Sequence, residues 1–141
     1  MREIFSYSPR SKYPHMSVAD TEIWNRFIAK YPDMYDRVQY DFHIGNPPPF
    51  NPLLDDGTDA NQDMLYKLRI DVVGHIGSDV DIIEIKPSAG ASAIGQVRSY
   101  KSLYERDEEP SGRVNMVIIT DIIKPNMDFL CTQDGVRLFV V

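Results

Sequence analysis

The feature that most constrains this fold is a pair of short segments that are typical of strands. They run over residues 80–86 (VDIIEIK) and Val114–Thr120 (VNMVIIT). The second segment is almost wholly apolar, as expected for a strand that is covered on both faces. Between them, small and apolar residues recur at helical spacing over about residues 91–106. The pattern therefore predicts a sheet with helices packed against it.

The N-terminal part of the chain predicts one helix and one strand. Ser17, with Asp20 three residues later, forms a capping-box pattern, and apolar residues at helical spacing follow until Pro32. Residues 38–44 then alternate, and one face of this strand is expected to carry the apolar side chains Val38, Tyr40, Phe42 and Ile44. This part therefore consists of a capped helix and a half-buried strand.

Two further strands complete the predicted sheet. Residues 66–73 alternate in the same way, and residues 77–79 (GSD) turn the chain into the segment 80–86. A last strand is expected at 136–141, after a short helix or turn. The predicted order is α-β-β-β-α-β with a C-terminal strand, which favours an α/β fold with a central mixed β-sheet flanked by helices.

Length and composition favour a single domain over residues 1–141. The chain is 43% hydrophobic and 26% charged, as expected for one ordinary core. Residues 1–16 are interpreted as an N-terminal arm, and residues 46–63 as a Pro- and Asp-rich loop. No segment reaches the roughly 18 apolar residues of a membrane span, and no signal-peptide pattern is found. We therefore expect an intracellular, soluble, cytoplasmic protein without membrane contact.

The charge and the cysteine content exclude several functional classes. The net charge of −6 disfavours a protein that coats nucleic acid by phosphate neutralisation alone. It does not conflict with an enzyme whose acidic site holds a metal ion. Cys131 is the only cysteine, which excludes a disulfide framework and a four-cysteine zinc site. His43 and His75 lack a carboxylate-rich spacing and are interpreted as structural, as is Asp41.

Charged residues in the second and third strands predict a metal-dependent site. Glu84 and Lys86 share one strand face, and the turn at 77–79 brings Asp71 opposite Glu84 or nearly so. Two carboxylates placed in this way repel each other, and a divalent cation removes the conflict. Mg²⁺ or Mn²⁺ prefers oxygen ligands, so Asp71, Glu84 and the Ile85 carbonyl form an adequate shell. Lys86 would orient water and offset the charge of an attacked phosphate.

The alternative interpretation of these residues is an ion-pair cluster on a solvated strand face. Glu84, however, lies in a strand of valine and isoleucine that is expected to be buried. A charged group in that environment requires a partner or a metal ion. The metal site is therefore the favoured interpretation.

The arrangement resembles the PD-(D/E)XK nuclease superfamily. Asp71 near the end of one strand, Glu84-Ile85-Lys86 in the next strand and a helix after it follow the order of that family's motif. Ile70 stands where many members have proline. The resemblance, over about residues 17–120, implies a restriction-endonuclease-like core. It also implies a Mg²⁺-dependent (or Mn²⁺-dependent) deoxyribonuclease that hydrolyses phosphodiester bonds, as an exonuclease or a structure-specific endonuclease.

Two more features are similar to the RecB-type and related exonuclease branch of that superfamily. Gln96 and Tyr100 make a Gln-x-x-x-Tyr pattern on one helical face, and the resemblance implies that they position substrate or water. Glu22 lies in the first helix, where several of these families have an additional acidic residue. An exposed Glu22–Arg26 ion pair explains Glu22 equally well.

Basic residues flank the predicted site and are candidates for contacts with the DNA backbone: Lys67, Arg69, Arg98 and Lys101. A module of this size often works as a homo-oligomer or within a larger repair, recombination or mobile-element complex. The second hypothesis is non-catalytic: a nuclease fold that serves as a structural or assembly component of a virion or a multisubunit complex. The acidic surface and the arm 1–16 suit docking onto protein neighbours.

Overall fold

The computed structural model describes residues 2–46 and 68–141. Within these ranges the elements are α1 (Val18–Lys30), β1 (Arg37–Ile44), β2 (Leu68–Ile76), β3 (Asp79–Ile85), α2 (Ala91–Glu108), β4 (Val114–Thr120), α3 (Met127–Gln133) and β5 (Val136–Val140). The predicted order of elements is confirmed. Most of the predicted loop 46–63 and the first two residues of the predicted strand 66–73 lie outside the described residues. No helix in the described ranges is long and apolar enough to cross a membrane.

The five strands form one sheet in the order β1-β2-β3-β4-β5. The pairs β1–β2 and β2–β3 are antiparallel, whereas β3–β4 and β4–β5 are parallel. The parallel pair β3–β4 requires a crossover connection, which α2 provides. The predicted mixed sheet of an α/β fold is therefore confirmed.

Helices cover both faces of the sheet and divide the core into two clusters. On one face α1 packs through Trp24 and Phe27 against the sheet, and on the other face α2 packs through Val97. Successive residues of β3 enter different clusters, with Ile82 on the α2 side and Ile83 on the α1 side. Because both faces are covered, β4 is apolar along almost its whole length, and the apolar residues of β3 point to both faces.

One prediction about β1 is wrong in its second half. Val38 and Tyr40 belong to the cluster under α1, as one strand face requires, but Phe42 and Ile44 belong to the cluster under α2. The change falls at Asp41, whose φ of 50° lies in the left-handed region. A residue in that conformation reverses the strand's alternation, so β1 contributes to both clusters.

The ladder between β1 and β2 has a gap at the same position. The pairs that flank the gap are Tyr40–Val72 and Phe42–Ile70. Asp41 and Asp71 would be the next pair in this register, but they are not part of the ladder. The gap releases both aspartates from regular strand pairing at one point of the sheet.

Asp81, in the middle of β3, connects several elements on the α1 side. Its side chain is buried and accepts hydrogen bonds from the Tyr35 hydroxyl at 2.8 Å and from the Asn115 side-chain amide at 3.0 Å. Arg137 of β5 forms an ion pair with the same carboxylate. A buried charge with three partners stabilises the arrangement of β3, β4 and β5.

Candidate active site

The β2–β3 hairpin places Asp71 opposite Glu84. The ladder ends with the pair Val72–Ile83, and the next position on each strand is one of the two acidic residues. Asp71 Oδ2 accepts a hydrogen bond at 2.8 Å from the backbone N–H of Ile85. The Asp71 carboxylate therefore takes the place of a ladder partner where the two strands separate. The expected position of Asp71 opposite Glu84 is what the register gives.

Asp71 is held in an environment that disfavours its charge. Burial is the main cause, and together with the charges of Asp20 and Asp41 it raises the pKa of Asp71 to about 7. The hydrogen bond from the Ile85 N–H and the charge of Lys86 act in the opposite direction. The stabilising contacts are therefore too weak to restore the ordinary acidity of this carboxyl group.

Glu84 is perturbed in the same direction. Glu84 is only 7% exposed. Burial, followed by the charge of Asp71, raises the pKa of Glu84 to about 8. The charge of Asp20 and a hydrogen bond with Asp71 contribute to this rise, and the charge of Lys86 opposes it. Asp71 and Glu84 thus form a pair that needs a proton or a cation to be stable at neutral pH.

Lys86 directly follows β3 and is exposed to solvent. Its backbone N–H donates to the Ile119 carbonyl at 3.0 Å, which extends the pairing of β3 with β4 by one residue. The charge of Lys86 lowers the pKa values of three carboxyl groups: Asp20, Asp71 and Glu84. The ammonium group therefore lies within electrostatic range of the whole acidic group while it remains accessible to a ligand.

The turn after Lys86 is held by hydrogen bonds that its backbone donates to side chains at the end of β4. The Ser88 N–H donates to Asp121 Oδ1 at 2.8 Å, and the Ala89 N–H donates to Thr120 Oγ1 at 2.9 Å. Ser88 itself has a φ of 46°, in the left-handed region. This turn sets the direction in which the chain leaves Lys86 and enters α2.

The first helix brings Asp20 to the carboxylate pair and does not bring Glu22. Asp20 is half-buried, and burial raises its pKa, although Ser17 and Lys86 lower it in part. It lies on the buried face of α1 together with Ile23, Trp24 and Phe27. Glu22 is exposed, because two residues advance the helix by about 200°. The spacing of Asp20 and these apolar residues was visible in the sequence, but the capping pattern already explained Asp20.

The second helix brings Tyr100 to the pair. Its ring is buried, and burial, then the charges of Glu84 and Asp71, raises the pKa of Tyr100 to about 12. Gln96 is exposed one turn earlier on the same helix. Of the Gln-x-x-x-Tyr pattern, the structure thus places the tyrosine within electrostatic range of the carboxylates.

The four basic residues that were predicted to contact DNA do not all lie near the Asp71–Glu84 pair. Arg69 precedes Asp71 by two residues and is half-buried. Arg98 points away from the pair, with its guanidinium 3.9 Å from the Asp134 carboxylate beyond α3. Lys101 is partly exposed on α2, next to Tyr100, and Lys67 lies outside the described residues. Arg69 is therefore the described basic residue that adjoins Asp71 along its strand.

Three basic side chains lie close to the Asp41 carboxylate, on the strand next to Asp71. The sequence did not predict this cluster. Asp41 Oδ2 lies 3.2 Å from His43 Nε2 and 3.5 Å from His15 Nε2, and Oδ1 lies 3.5 Å from Arg69 Nη1. We call Asp41, His15, His43 and Arg69 the Asp41 cluster. The charge of Asp41 contributes to the raised pKa of Asp71 on the neighbouring strand.

The residues at this site fit Mg²⁺ better than Zn²⁺. In the described part of the chain, no three His, Cys, Asp or Glu side chains form a metal-ligand group. That donor set does not suit Zn²⁺, which takes three or four protein ligands. Mg²⁺ retains several waters and needs only one or two carboxylates, so the oxygen donors Asp71 and Glu84 fit it.

Comparison with known proteins shows similarity at the level of the fold. No protein-family model and no curated protein sequence matches the chain. The crystal structure of a repair endonuclease from Pyrococcus abyssi matches 92% of this chain with a TM-score of 0.50 and 14% identity. A structure of EndoMS in complex with dsDNA matches 94% with a TM-score of 0.50 and 12% identity. The chain has a restriction-endonuclease-like fold. It spans 49% and 48% of the two matched chains.

Proposed function

We propose that this chain is a divalent-metal-dependent DNA nuclease that uses Mg²⁺ or Mn²⁺ to hydrolyse phosphodiester bonds. The observation that carries the proposal is the pair Asp71 and Glu84, two inward-facing carboxylates opposite each other with Lys86 beside them. The fold supports it, because the matched structures are described as a repair endonuclease and as EndoMS with dsDNA. The latter also makes double-stranded DNA the first substrate to test.

A comparison within β3 supports a functional role for the pair. Asp81, in the same strand, is neutralised by Arg137 and hydrogen-bonded by Tyr35 and Asn115, as a structural buried carboxylate should be. Glu84 faces Asp71, a second carboxylate, and Lys86, whose charge acts on both, is an exposed side chain. A pair that served stability alone would be costly in this form. Perturbed carboxyl groups of this type are frequent at catalytic sites.

In the proposed site Asp71, Glu84 and the Ile85 carbonyl hold the metal ion. When bound there, the ion would act as a Lewis acid toward the phosphate and would make water a better nucleophile near neutral pH. Asp20 is close enough to influence both carboxylates, and we assign it to the water molecules around the site rather than to direct ligation. Asp20 thus takes the role of the additional acidic residue of the first helix, for which Glu22 was the candidate.

Other side chains act on the reacting phosphate. During hydrolysis a water oxygen forms a bond to phosphorus, the bond to the leaving oxygen breaks, and a proton is transferred to that oxygen. Lys86 stabilises the negative charge that develops on the phosphate oxygens. Tyr100 donates a hydrogen bond from its hydroxyl, since its pKa of about 12 keeps it protonated. Gln96, one turn away, contacts the substrate or water.

The test is a cleavage assay on linear, circular, branched and single-stranded DNA, with Mg²⁺, Mn²⁺ or EDTA. We expect cleavage that requires the metal and that is lost in Asp71→Asn and Glu84→Gln. Glu105→Gln, an exposed residue of α2, is the matched control and should cleave like the wild type. An active Glu84→Gln variant would refute the assignment of the site.

A thermal-shift measurement separates this proposal from the assembly hypothesis. Binding of a metal ion to the folded state at a hundred times its dissociation constant stabilises the protein by about 2.7 kcal/mol. We expect such a stabilisation with Mg²⁺ or Mn²⁺ in the wild type. If neither ion stabilises the protein and no DNA form is cut, the role of the fold as a structural component, or within a homo-oligomer or larger complex, is favoured.

A further inference from the structure

A short loop follows β4 at the edge of the sheet that carries the proposed active site. β3 and β4 are parallel and pair as far as Ile85–Ile119, so their carboxyl ends lie side by side. Lys86 and Thr120 occupy the next position on the two strands. Neighbouring strands are about 5 Å apart and a chain extends by at most about 3.5 Å per residue, so Ile122 lies within about 12 Å of Lys86. Ligands of α/β sheets commonly bind at this end of the strands.

The hydrogen bonds that hold the turn after Lys86 also hold the start of this loop. Their acceptors are the side chains of Thr120 and Asp121. The Thr120 hydroxyl donates in addition to the Ile122 carbonyl at 3.4 Å. Asp121, the acidic residue of the loop, is half-buried and turned toward the backbone that it accepts from. The loop therefore has a defined position relative to Lys86.

The side chains that follow in this loop are exposed, and they are apolar and cationic. Ile122 is 59% exposed and Ile123 is 45% exposed. Lys124 is exposed as well, and an ideal Cβ at Gly90, before α2, would lie 3.4 Å from its Nζ. In the part of the chain that the structure describes, no carboxylate forms an ion pair with Lys124. Two adjacent exposed isoleucines next to a lysine without an acidic partner are suited to a ligand that is both apolar and anionic.

We propose that residues 122–124 contact DNA beside the phosphate that is cleaved. Lys124 binds a phosphate of the DNA backbone, and Ile122 and Ile123 contact sugars and bases. The inference deepens the proposed function and rests on it, since it takes the Asp71–Glu84 pair as the position of the scissile phosphate.

The dimensions of DNA support this assignment. The major groove alone is about 12 Å wide, so a duplex bound at Lys86 covers an exposed loop within that distance. Lysine contacts with phosphates position a protein on the duplex, and isoleucine is among the side chains that contact or enter base steps. An apolar loop of this kind could also bind a second copy of the chain, but the unpaired charge of Lys124 favours a polyanion.

Binding to a fluorescein-labelled 20-bp DNA duplex, measured by anisotropy over a range of salt concentrations, tests the two kinds of contact separately. Ca²⁺ replaces Mg²⁺ in this assay. We expect Lys124→Gln to weaken binding about tenfold, as for a lost charge-assisted hydrogen bond. The magnitude of the slope of log K against log salt should decrease by about 0.9. The double variant Ile122→Ser/Ile123→Ser should weaken binding about fivefold, as for a loss of apolar burial, and should keep the wild-type slope.

Two exposed residues of the same types serve as matched controls. Lys30 lies ten residues after Asp20 on α1, which places it roughly 15 Å farther from the site along the helix axis. Ile4 is 59% exposed, and it precedes Phe5, which pairs with Val38 on β1 at the opposite edge of the sheet. Lys30→Gln and Ile4→Ser should both bind like the wild type.

A second measurement locates the contact on the DNA. Single neutral methylphosphonate linkages are placed in turn within about four nucleotides of the cleaved bond, since 12 Å corresponds to three or four nucleotides at about 3.4 Å each. One of them should slow the wild type in Mg²⁺ and should slow Lys124→Gln much less. If every linkage slows both proteins equally, Lys124 binds none of these phosphates and the inference is wrong.

Sedimentation velocity tests the other occupant of the loop. If Ile122→Ser/Ile123→Ser converts a dimer to a monomer and leaves the DNA affinity unchanged, the loop joins copies of the chain and the inference is wrong. A wild-type protein that cuts DNA while all these variants bind it normally would refute the inference alone. A wild-type protein that neither binds nor cuts DNA would refute the proposed function itself, and this inference with it.

Discussion

Replacing Glu84 by glutamine should stabilise the metal-free protein. Glutamine keeps the size of the side chain and removes the charge that burial and Asp71 disfavour. The pKa of Glu84 is raised from 4.5 to about 8, so at pH 7 the folded protein must keep a proton that the unfolded chain has released. Since pH 7 is about 2.5 units above the ordinary pKa, this costs up to about 3 kcal/mol. Structural relaxation reduces the cost, and we expect a gain on the order of 2 kcal/mol.

The same reasoning fixes the sign of the pH dependence. Because the folded pKa values of Asp71 and Glu84 are raised, the folded state binds more protons than the unfolded state between about pH 5 and pH 7. The free energy of unfolding in EDTA should therefore fall as the pH rises, by up to about 1.4 kcal/mol per pH unit for each carboxyl group. Glu84→Gln should show a shallower slope, since one of the two carboxyl groups of the pair no longer titrates.

Urea denaturation in EDTA at pH 5, 6, 7 and 8 measures both effects. Glu105→Gln removes an exposed charge and serves as the control for a general change of net charge. A wild-type stability that is constant or rises from pH 5 to 8 would contradict the reasoning. So would a Glu84→Gln variant with the wild-type slope, because the raised pKa could then not be due to this pair.

Three further predictions concern single residues. Asp20→Asn should reduce cleavage at least tenfold, because it perturbs water molecules at the site, whereas Glu22→Gln on the exposed face should leave the rate unchanged; comparison of initial rates decides. Lys86→Gln should lose on the order of 100-fold in cleavage rate but keep the Mg²⁺-induced rise in melting temperature, and loss of both would make Lys86 structural. Asp81→Ala should destabilise the protein by about 3 kcal/mol, since it leaves Arg137 and a buried hydroxyl without their partner, as measured by urea denaturation. A loss below about 1 kcal/mol would show that the network contributes little.

The elements and the position of Asp71 opposite Glu84 could be predicted because local rules determine them. The period of apolar residues identifies helices and strands, and a short turn at 77–79 fixes which residues of β2 and β3 are opposite. The register that ends at Val72–Ile83 follows directly from that turn. The positions of side chains that depend only on hairpin geometry could therefore be predicted from the sequence.

The interruption of β1 could not be predicted from the sequence. The alternation from Val38 to Ile44 continues through Asp41 without any irregularity. Aspartate is enriched in the left-handed region, but most aspartates do not adopt it, so the residue type alone does not predict the break. Asp41 has one local contact, with His43, and two tertiary contacts, with His15 of the N-terminal arm and Arg69 of β2. His15 lies outside every helix and strand, so no periodic pattern could place it.

The two acidic residues of β3 show why a strand sequence cannot by itself separate a structural carboxylate from a functional one. Asp81 and Glu84 both interrupt an apolar run, and both are buried. Asp81 lies at the centre of the sheet, where β4, β5 and the segment before β1 each supply a donor. Glu84 lies where the β2–β3 ladder ends, so its cross-strand neighbour is Asp71 and the α1 side adds Asp20. The strand order therefore gives Asp81 donors within the protein that neutralise its charge. The charge of Glu84 is left to be neutralised by a proton or a bound cation.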